Sequence, residues 1–159
     1  MLQFRAIGAR RHHRSKLLTD AERLLIDIHT GRFERFLSAT MAAGAAITGA
    51  EIFLEHDRAS FGNKMMWLPV ALTPVATAAG IAGVVNKKAA RTVLPAVSAV
   101  VLANSLQGTY LHLRGIGQRP GGWREARYNS EMGPPPFAPL LFALVGGMGL
   151  IAAILRRER

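Results

Sequence analysis

Cysteine is absent from the 159-residue sequence, which excludes disulfide bridges and metal sites built from thiolates. Acidic residues are also scarce, with 10 Asp and Glu against 20 Lys and Arg, so the formal net charge is +10. Basic clusters are common in nucleic-acid-binding proteins. Here the basic residues lie between long uncharged stretches, a distribution that membrane topology explains, so we expect no nucleic-acid partner.

Charge is missing almost entirely from four long apolar stretches, and half of all residues are hydrophobic. A helix needs roughly 20 apolar residues to cross a bilayer core of about 30 Å. A soluble domain would mix polar and apolar residues at helical or strand period instead. The sequence therefore predicts an all-α fold, an integral membrane bundle of four transmembrane helices. It forms one domain over residues 36–155, with spans at about 36–54, 65–85, 92–113 and 137–155.

The positions of lysine and arginine predict the orientation of these spans. With both termini in the cytoplasm, 14 of the 20 basic residues lie inside and 6 lie outside, as the positive-inside rule requires. The topology is then multi-pass, N-in and C-in, with a Pro/Gly-rich outer loop at residues 114–136. Four aromatic residues fall at or beyond the outer boundary and are expected to anchor the chain at the interface: Trp67, Tyr110, Trp123 and Tyr128.

Residues 1–35 form a separate region, a basic cytoplasmic arm followed by a helix. Thr19 and Glu22 have the spacing of a capping box, which marks the start of a helix. Apolar residues then repeat at helical spacing, at Ala21, Leu24, Leu25 and Ile28. This pattern predicts an amphipathic helix from about residue 20 to the first span. Two interpretations stay open: a helix on the inner membrane surface, drawn to anionic lipid, or a docking surface for a partner protein.

Polar residues within and beside the spans gather near the predicted outer side. The first span contributes Glu51, Glu55 and His56, and the third contributes Asn104, Gln107 and His112. Both spans run from inside to outside, so we expect these groups to lie at similar depth. Ionisable groups at membrane depth are costly and indicate function. The first interpretation is an interhelical hydrogen-bond cluster that fixes packing, formed by Glu51, Glu55, Asn104 and Gln107.

Other interpretations use the same groups. His56 and His112 are candidate ligands of one haem iron, which would make haem the cofactor. A metal site with Glu51, Glu55 and both histidines is disfavoured, because neither span has the Glu-x-x-His spacing of carboxylate metal proteins. No metal ligand is therefore assigned. A role in proton or quinone handling is the last interpretation.

Five short motifs lie at one side of the predicted bundle: EHDRASF at 55–61, MWLP at 66–69, LHLRGI at 111–116, PGGW at 120–123 and MGPPPFAP at 132–139. In these motifs the chain resembles a group of short bacterial four-helix membrane proteins with no known activity. The resemblance covers about residues 51–155. It implies a location in the bacterial inner membrane and implies no activity.

The functional expectation follows from packing and from missing motifs. Small residues recur at helical spacing, as at Ala76 and Gly80, so close helix contact is expected within the bundle or with another subunit. The sequence contains no catalytic triad, phosphate loop or zinc spacing, so nothing in it indicates an enzyme that acts alone. We therefore expect a small non-catalytic accessory subunit of a larger membrane complex, such as an electron-transfer complex. Its partners would be the lipid bilayer and other membrane subunits or further copies of itself. The alternatives are a redox or proton-handling protein that uses the outer Glu/His cluster, and a small transporter.

Overall fold

A computed structural model describes residues 19–20 and 22–155. Every regular element in this part of the chain is a helix, which confirms the all-α prediction. Residues 19–20 and 22–29 are helical and precede the main domain. The α-helices that follow are α1 Arg32–Arg58, α2 Trp67–Val85, α3 Lys87–Arg91, α4 Val93–Gly117, α5 Ala126–Glu131 and α6 Ala138–Leu155. Short 3-10 helices at Lys64–Met66 and Gly122–Glu125 lead into α2 and α5.

The four long helices form a bundle in which α1 and α4 each pack against both α2 and α6. α1 and α4 therefore stand at opposite corners, as do α2 and α6. The bundle has two ends, which differ in composition. The loop end is where α1 and α4 finish and where α2 and α6 begin. The basic end is where α1 begins and where α3, with Lys87, Lys88 and Arg91, joins α2 to α4.

Glycine sets the spacing between α1 and α2. A Cβ atom on Gly80 would lie 2.8 Å from the Cβ of Ala42 and 2.8 Å from the carbonyl oxygen of Ser38. A Cβ atom on Gly49 would lie 2.6 Å from Oγ1 of Thr73. The later residue of α1, Gly49, contacts the earlier residue of α2, Thr73, so the two helices are antiparallel. Small residues thus allow the close approach that helices need where lipid removes the hydrophobic drive for association.

The centre of the bundle is apolar and closely packed. Its buried side chains, none more than 3% exposed, are Met41, Ala45, Ala76, Leu94, Val101, Phe142, Val145 and Ala152. The larger of these side chains come from three helices, α1, α4 and α6. The packing of each helix therefore depends on segments that are distant in sequence. Inside a bilayer, dispersion contacts between such side chains hold the helices together.

Among the described residues, three helices are long and apolar enough to cross a membrane: Arg32–Arg58, Lys64–Val85 and Ala138–Leu155. They coincide with three of the four predicted spans. α4 has 25 residues, which is ample length. Its apolar character is lower because Asn104, Gln107 and His112 lie within it. Its ends also differ from the predicted span, since the helix continues through Gly115 to Gly117.

The helical segment at 22–29 does not run unbroken into the first long helix. Gly31 adopts the left-handed conformation with φ 70°, and it separates the two helical segments at the N-terminus of α1. Glycine is suited to this conformation because it has no Cβ to clash. The amphipathic helix on the membrane or on a partner stays a prediction. Leu24, Leu25 and Ile26 are 46%, 58% and 58% exposed, so the described residues leave them largely uncovered.

Candidate functional site at the loop end of the bundle

His56 and His112 both lie at the loop end, on helices that stand at opposite corners of the bundle. His56 lies near the end of α1 and His112 near the end of α4, and both side chains are half-buried. The two rings are close enough for their charges to interact, and the Glu55 carboxylate also acts on His56. Glu55 forms an ion pair with Arg58 one turn later. The structure thus places at the same end of the bundle the two histidines that the sequence analysis singled out.

A hydrogen bond to the proline-rich loop orients His112. Its Nδ1 lies 2.7 Å from the carbonyl oxygen of Pro135. A carbonyl oxygen only accepts, so Nδ1 carries hydrogen and donates, which leaves Nε2 with the lone pair in the neutral ring. Gly115 allows this approach, because a Cβ there would lie 3.0 Å from Cγ of Pro134. Histidine ligands commonly donate their other ring nitrogen to a backbone carbonyl in this way.

His56 is enclosed by the turn between α1 and α2. Its Nδ1 is buried and has no hydrogen-bond partner among the described residues. The ring centroid of Phe61 lies 6.3 Å away, and Phe61 itself stacks on Trp67 at 3.9 Å. Ser60 and Phe61 both have positive φ, 52° and 44°. Such strained conformations are costly for residues other than glycine and cluster at functional sites. The turn therefore places the stacked rings of Phe61 and Trp67 beside His56, whose Nδ1 has no hydrogen-bond partner among the described residues.

Among the described residues, no hydrogen bond joins the four other members of the predicted polar group to one another. Glu51 and Gln107 are exposed, and Asn104 and Glu55 are half-buried. Across the part of the chain that the structure describes, no hydrogen bond joins Glu51 to Asn104 or Gln107. Glu51 and Gln107 instead belong to the outward surface of the bundle. No group of three or more His, Asp or Glu residues suited to a metal ion occurs between residues 22 and 155.

A buried asparagine that the sequence analysis did not single out holds the loop together. Asn129 on α5 is 1% exposed. Its Nδ2 donates to the carbonyl oxygens of Pro120 at 3.1 Å and Gly122 at 2.9 Å. A lone Asn in a polar loop gives no signal of this role. The four predicted anchors are all exposed, between 51% and 61%: Trp67, Tyr110, Trp123 and Tyr128.

An apolar groove lies on the side of the bundle between α2 and α4. Its volume is about 510 Å³. The residues that line it are small or aliphatic, namely Pro74, Val75, Ala78, Ala79, Ala82, Val93 and Val97. Such a groove has room for an apolar chain or for the side chains of another helix. It offers no polar group with which to orient a polar substrate.

Comparison with protein families, with curated proteins and with solved structures finds no match for this chain. Its function is therefore inferred from its own residues.

Proposed function

We propose that this chain is a small non-catalytic subunit of a larger protein complex in the bacterial inner membrane, such as an electron-transfer complex. It crosses the bilayer with four helices and keeps both termini in the cytoplasm. The loop end then faces outward and the basic end faces the cytoplasm. The lateral surface of the bundle is where the other subunits bind.

The packing of α4 supports a fourth span. α4 has 25 residues and packs against α2 and α6, two of the three helices that are apolar enough to span. A helix in that position shares the membrane with its neighbours. The distribution of basic residues supports the orientation, since 14 of 20 lie on the cytoplasmic side that it assigns.

The observation that carries the subunit proposal is an exposed carboxylate at membrane depth. Gly49 lies against Thr73, which is six residues along α2 from Trp67. At 1.5 Å per residue, Gly49 is thus about 9 Å inside the level of Trp67. Glu51 is two residues nearer the loop end, so it is about 6 Å inside that level. Ionisable side chains at such depth face a bundle interior or a polar partner, because lipid tails offer no hydrogen bonds. Glu51 faces outward, so the outward surface is where its partner binds.

Gln107 and the groove support the same conclusion. Gln107 is also exposed on α4, next to Gly108 in the outer half of the bundle. The apolar groove between α2 and α4 adds a surface of small residues, of the kind that lets another helix approach closely. These features lie on different helices, which is consistent with contacts to more than one neighbouring subunit.

The test replaces the exposed polar side chains by leucine. Glu51→Leu and Gln107→Leu would be neutral or favourable if these positions faced lipid, since a charge or an unpaired amide is costly there. If the positions face polar groups of another subunit, both variants are expected to lower the yield of complex. Ile47→Leu is the matched control, because Ile47 is 72% exposed and apolar.

The measurement is gentle-detergent extraction from the native membrane, followed by native size analysis and identification of co-purifying proteins. We expect a large assembly for the native chain and for Ile47→Leu, and a smaller particle for the two polar-to-leucine variants. A native chain that migrates alone as a small particle contradicts the proposal. An assembly that survives both leucine variants shows that Glu51 and Gln107 do not form its contacts.

A second candidate function is haem binding by His56 and His112. It is favoured by the placement of both histidines at the loop end and by the bond from His112 Nδ1 to Pro135, which leaves Nε2 of His112 available. Haem iron takes two such nitrogens in bis-histidine sites. The purified protein would then absorb visible light, and His56→Ala or His112→Ala would remove the band. His29→Ala, outside the main bundle, is the control. A colourless protein isolated from haem-sufficient cells rejects this function.

A further inference from the structure

The apolar groove between α2 and α4 extends to the basic end of the bundle. Its lining on α2 begins at Pro74 and finishes at Ala82, one turn before α2 ends at Val85. Its lining on α4 includes Val93, the first residue of that helix. α3 joins these two helices, so α3 lies at the end of the groove. Three of the five lining residues of α2 are alanines, whose short side chains leave the space open.

The wall of the groove stays apolar even at its proline. Pro74 lies inside α2 and has no N–H, so the carbonyl oxygen of Val70 loses its usual helical donor. The Thr73 hydroxyl donates to that oxygen instead, at 2.9 Å. The carbonyl that Pro74 frees is therefore paired, and the groove suits an occupant that is apolar along this length.

The length of the groove fits one leaflet of a bilayer. The lining residues from Pro74 to Ala82 cover about 12 Å of the helix axis, and α2 ends about 4.5 Å further on, at Val85. Half of a hydrocarbon core of about 30 Å is about 15 Å. A helix that crossed the whole membrane would extend about twice as far as the groove. One acyl chain of a phospholipid, which spans one leaflet, matches the length better.

Three cations lie at the end of the groove. Lys87, Lys88 and Arg91 of α3 are all exposed, and α3 packs on the bundle through Ala90, which is 0% exposed. α2, α3 and α4 contain no Asp or Glu. Glu34 of α1 also lies at the basic end, but its side chain is 0% exposed and its carboxyl oxygens have no hydrogen-bond partner among the described residues. The surface that α3 adds to the groove is therefore positive.

Hydrogen bonds from the flanking residues hold α3 in place. The Asn86 side chain accepts from the backbone nitrogens of Lys88 at 2.9 Å and Ala89 at 3.1 Å. The Thr92 hydroxyl donates to the carbonyl oxygen of Lys88 at 2.8 Å. Asn86 thus caps the backbone donors at the start of α3. An anion at this end would therefore bind to the basic side chains and not to the backbone.

We propose that the groove and α3 together bind one anionic phospholipid, with an acyl chain in the groove and the headgroup phosphate on the basic side chains of α3. Lysine and arginine form charge-assisted hydrogen bonds with phosphate. Basic pockets between transmembrane helices on the cytoplasmic side bind anionic headgroups in this way. The phospholipid completes the lateral surface between α2 and α4 on which other subunits bind. The proposal rests on the bundle lying in a bilayer, as proposed above, and does not require another subunit.

The first experiment measures lipid binding to the full chain in mild detergent by native mass spectrometry. Phosphatidylglycerol and phosphatidylcholine with identical acyl chains are titrated separately. We expect one phosphatidylglycerol to bind about 10- to 100-fold more tightly than phosphatidylcholine, because each basic side chain adds to the attraction of an anionic headgroup. The combined change Lys87→Gln, Lys88→Gln and Arg91→Gln is expected to abolish this preference.

The matched control removes three exposed cations from the loop end, as Lys64→Gln, Arg114→Gln and Arg124→Gln. This variant has the same net charge as the α3 variant and should keep the preference for phosphatidylglycerol. Equal affinity of the native chain for both lipids, or a preference that survives the loss of the α3 cations, overturns the proposal.

A second pair of variants tests the groove. Ala78 lines the groove and is exposed, so the ring of Ala78→Phe takes the space of the acyl chain without entering the core. We expect this variant to lose the tight phosphatidylglycerol site. Ala71→Phe is the control, because Ala71 is exposed on the same helix two turns earlier and does not line the groove. Circular dichroism checks that both variants keep their helices. Binding by Ala78→Phe that equals that of the native chain overturns the proposal.

The last experiment identifies the occupant in the native membrane. A photoreactive amino acid replaces Ala82 in the groove, and in a separate chain it replaces Ile81, which is 55% exposed at the same depth outside the groove. Adducts at position 82 that are enriched in anionic phospholipid over those at position 81 support the proposal. Adducts at position 82 that are confined to another protein, or that match those at position 81, overturn it. A protein adduct would at the same time support the subunit function, so the two proposals fail separately.

Discussion

Gly80 is a point where the contact between α1 and α2 is sensitive to one added carbon atom. A Cβ there would lie 2.8 Å from the Cβ and from the backbone nitrogen of Ala42, and 2.8 Å from the carbonyl oxygen of Ser38. Two of these three atoms belong to the backbone of α1, so no rotamer change can relieve the clash. Gly80→Ala therefore has to move the two helices apart. Gly147 on α6 is the matched control, because a Cβ there would meet nothing within 4 Å.

The expected magnitude combines two opposing effects. Overpacking a filled contact costs about 1–3 kcal/mol. Alanine is favoured over glycine within a helix by about 0.8–1.0 kcal/mol. Gly80→Ala should therefore destabilise the protein by about 1–2 kcal/mol, since the rigid backbone places the clash in the upper half of its range. Gly147→Ala has only the favourable effect and should be neutral or slightly stabilising. The two variants are thus expected to differ by about 2 kcal/mol, which exceeds a tenfold change in the folding equilibrium.

The assay is reversible unfolding in mixed micelles by an anionic detergent, followed by circular dichroism. The native chain, Gly80→Ala and Gly147→Ala are compared under identical conditions, so that errors of extrapolation cancel. Equal stability of the two variants, or a less stable Gly147→Ala, would refute the close approach of α1 and α2 at this level.

Two further predictions concern the core and the loop. Phe142→Ala should cost about 3–5 kcal/mol in the same unfolding assay, because Phe142 is 2% exposed among core residues. Leu144→Ala on the outward face of the same helix, 65% exposed, should cost much less, and equal losses would contradict the assigned faces. Asn129→Leu leaves the carbonyl oxygens of Pro120 and Gly122 without their donor, at a cost of about 1–3 kcal/mol. Hydrogen exchange should then quicken in residues 118–136 and stay unchanged in α2; unchanged exchange in the loop would show that Asn129 does not hold it.

Hydropathy located the long helices well, because an uncharged run of about 20 residues can form few stable backbone structures other than a helix. It located their ends less well. The first predicted span, 36–54, lies within a helix that runs from Arg32 to Arg58. Hydropathy measures the polarity of side chains, whereas a helix continues as long as its backbone hydrogen bonds do. The same reason explains why α4 passes through Gly115, where composition had predicted a loop.

The candidate site was predicted in part. The sequence named His56 and His112, and the structure places both at the loop end because α1 and α4 both end at the same side of the bundle. The bond from His112 to Pro135 joins positions 23 residues apart, and no local pattern indicates it. Glu51 and Glu55 share a helix face by spacing, yet Glu51 is exposed and Glu55 half-buried. Helical spacing shows which residues share a face but does not show which neighbour covers that face.

The sequence by itself determined the helical class, three apolar helices suited to a membrane, and the uneven placement of basic residues. These are properties of single segments, so composition and periodicity carry them. Only the tertiary structure decided that Glu34 is sealed inside, that Glu51 and Gln107 face outward, and that Asn129 ties the loop. Burial and pairing depend on segments far apart in the chain, and those segments acquire their positions only when the helices pack.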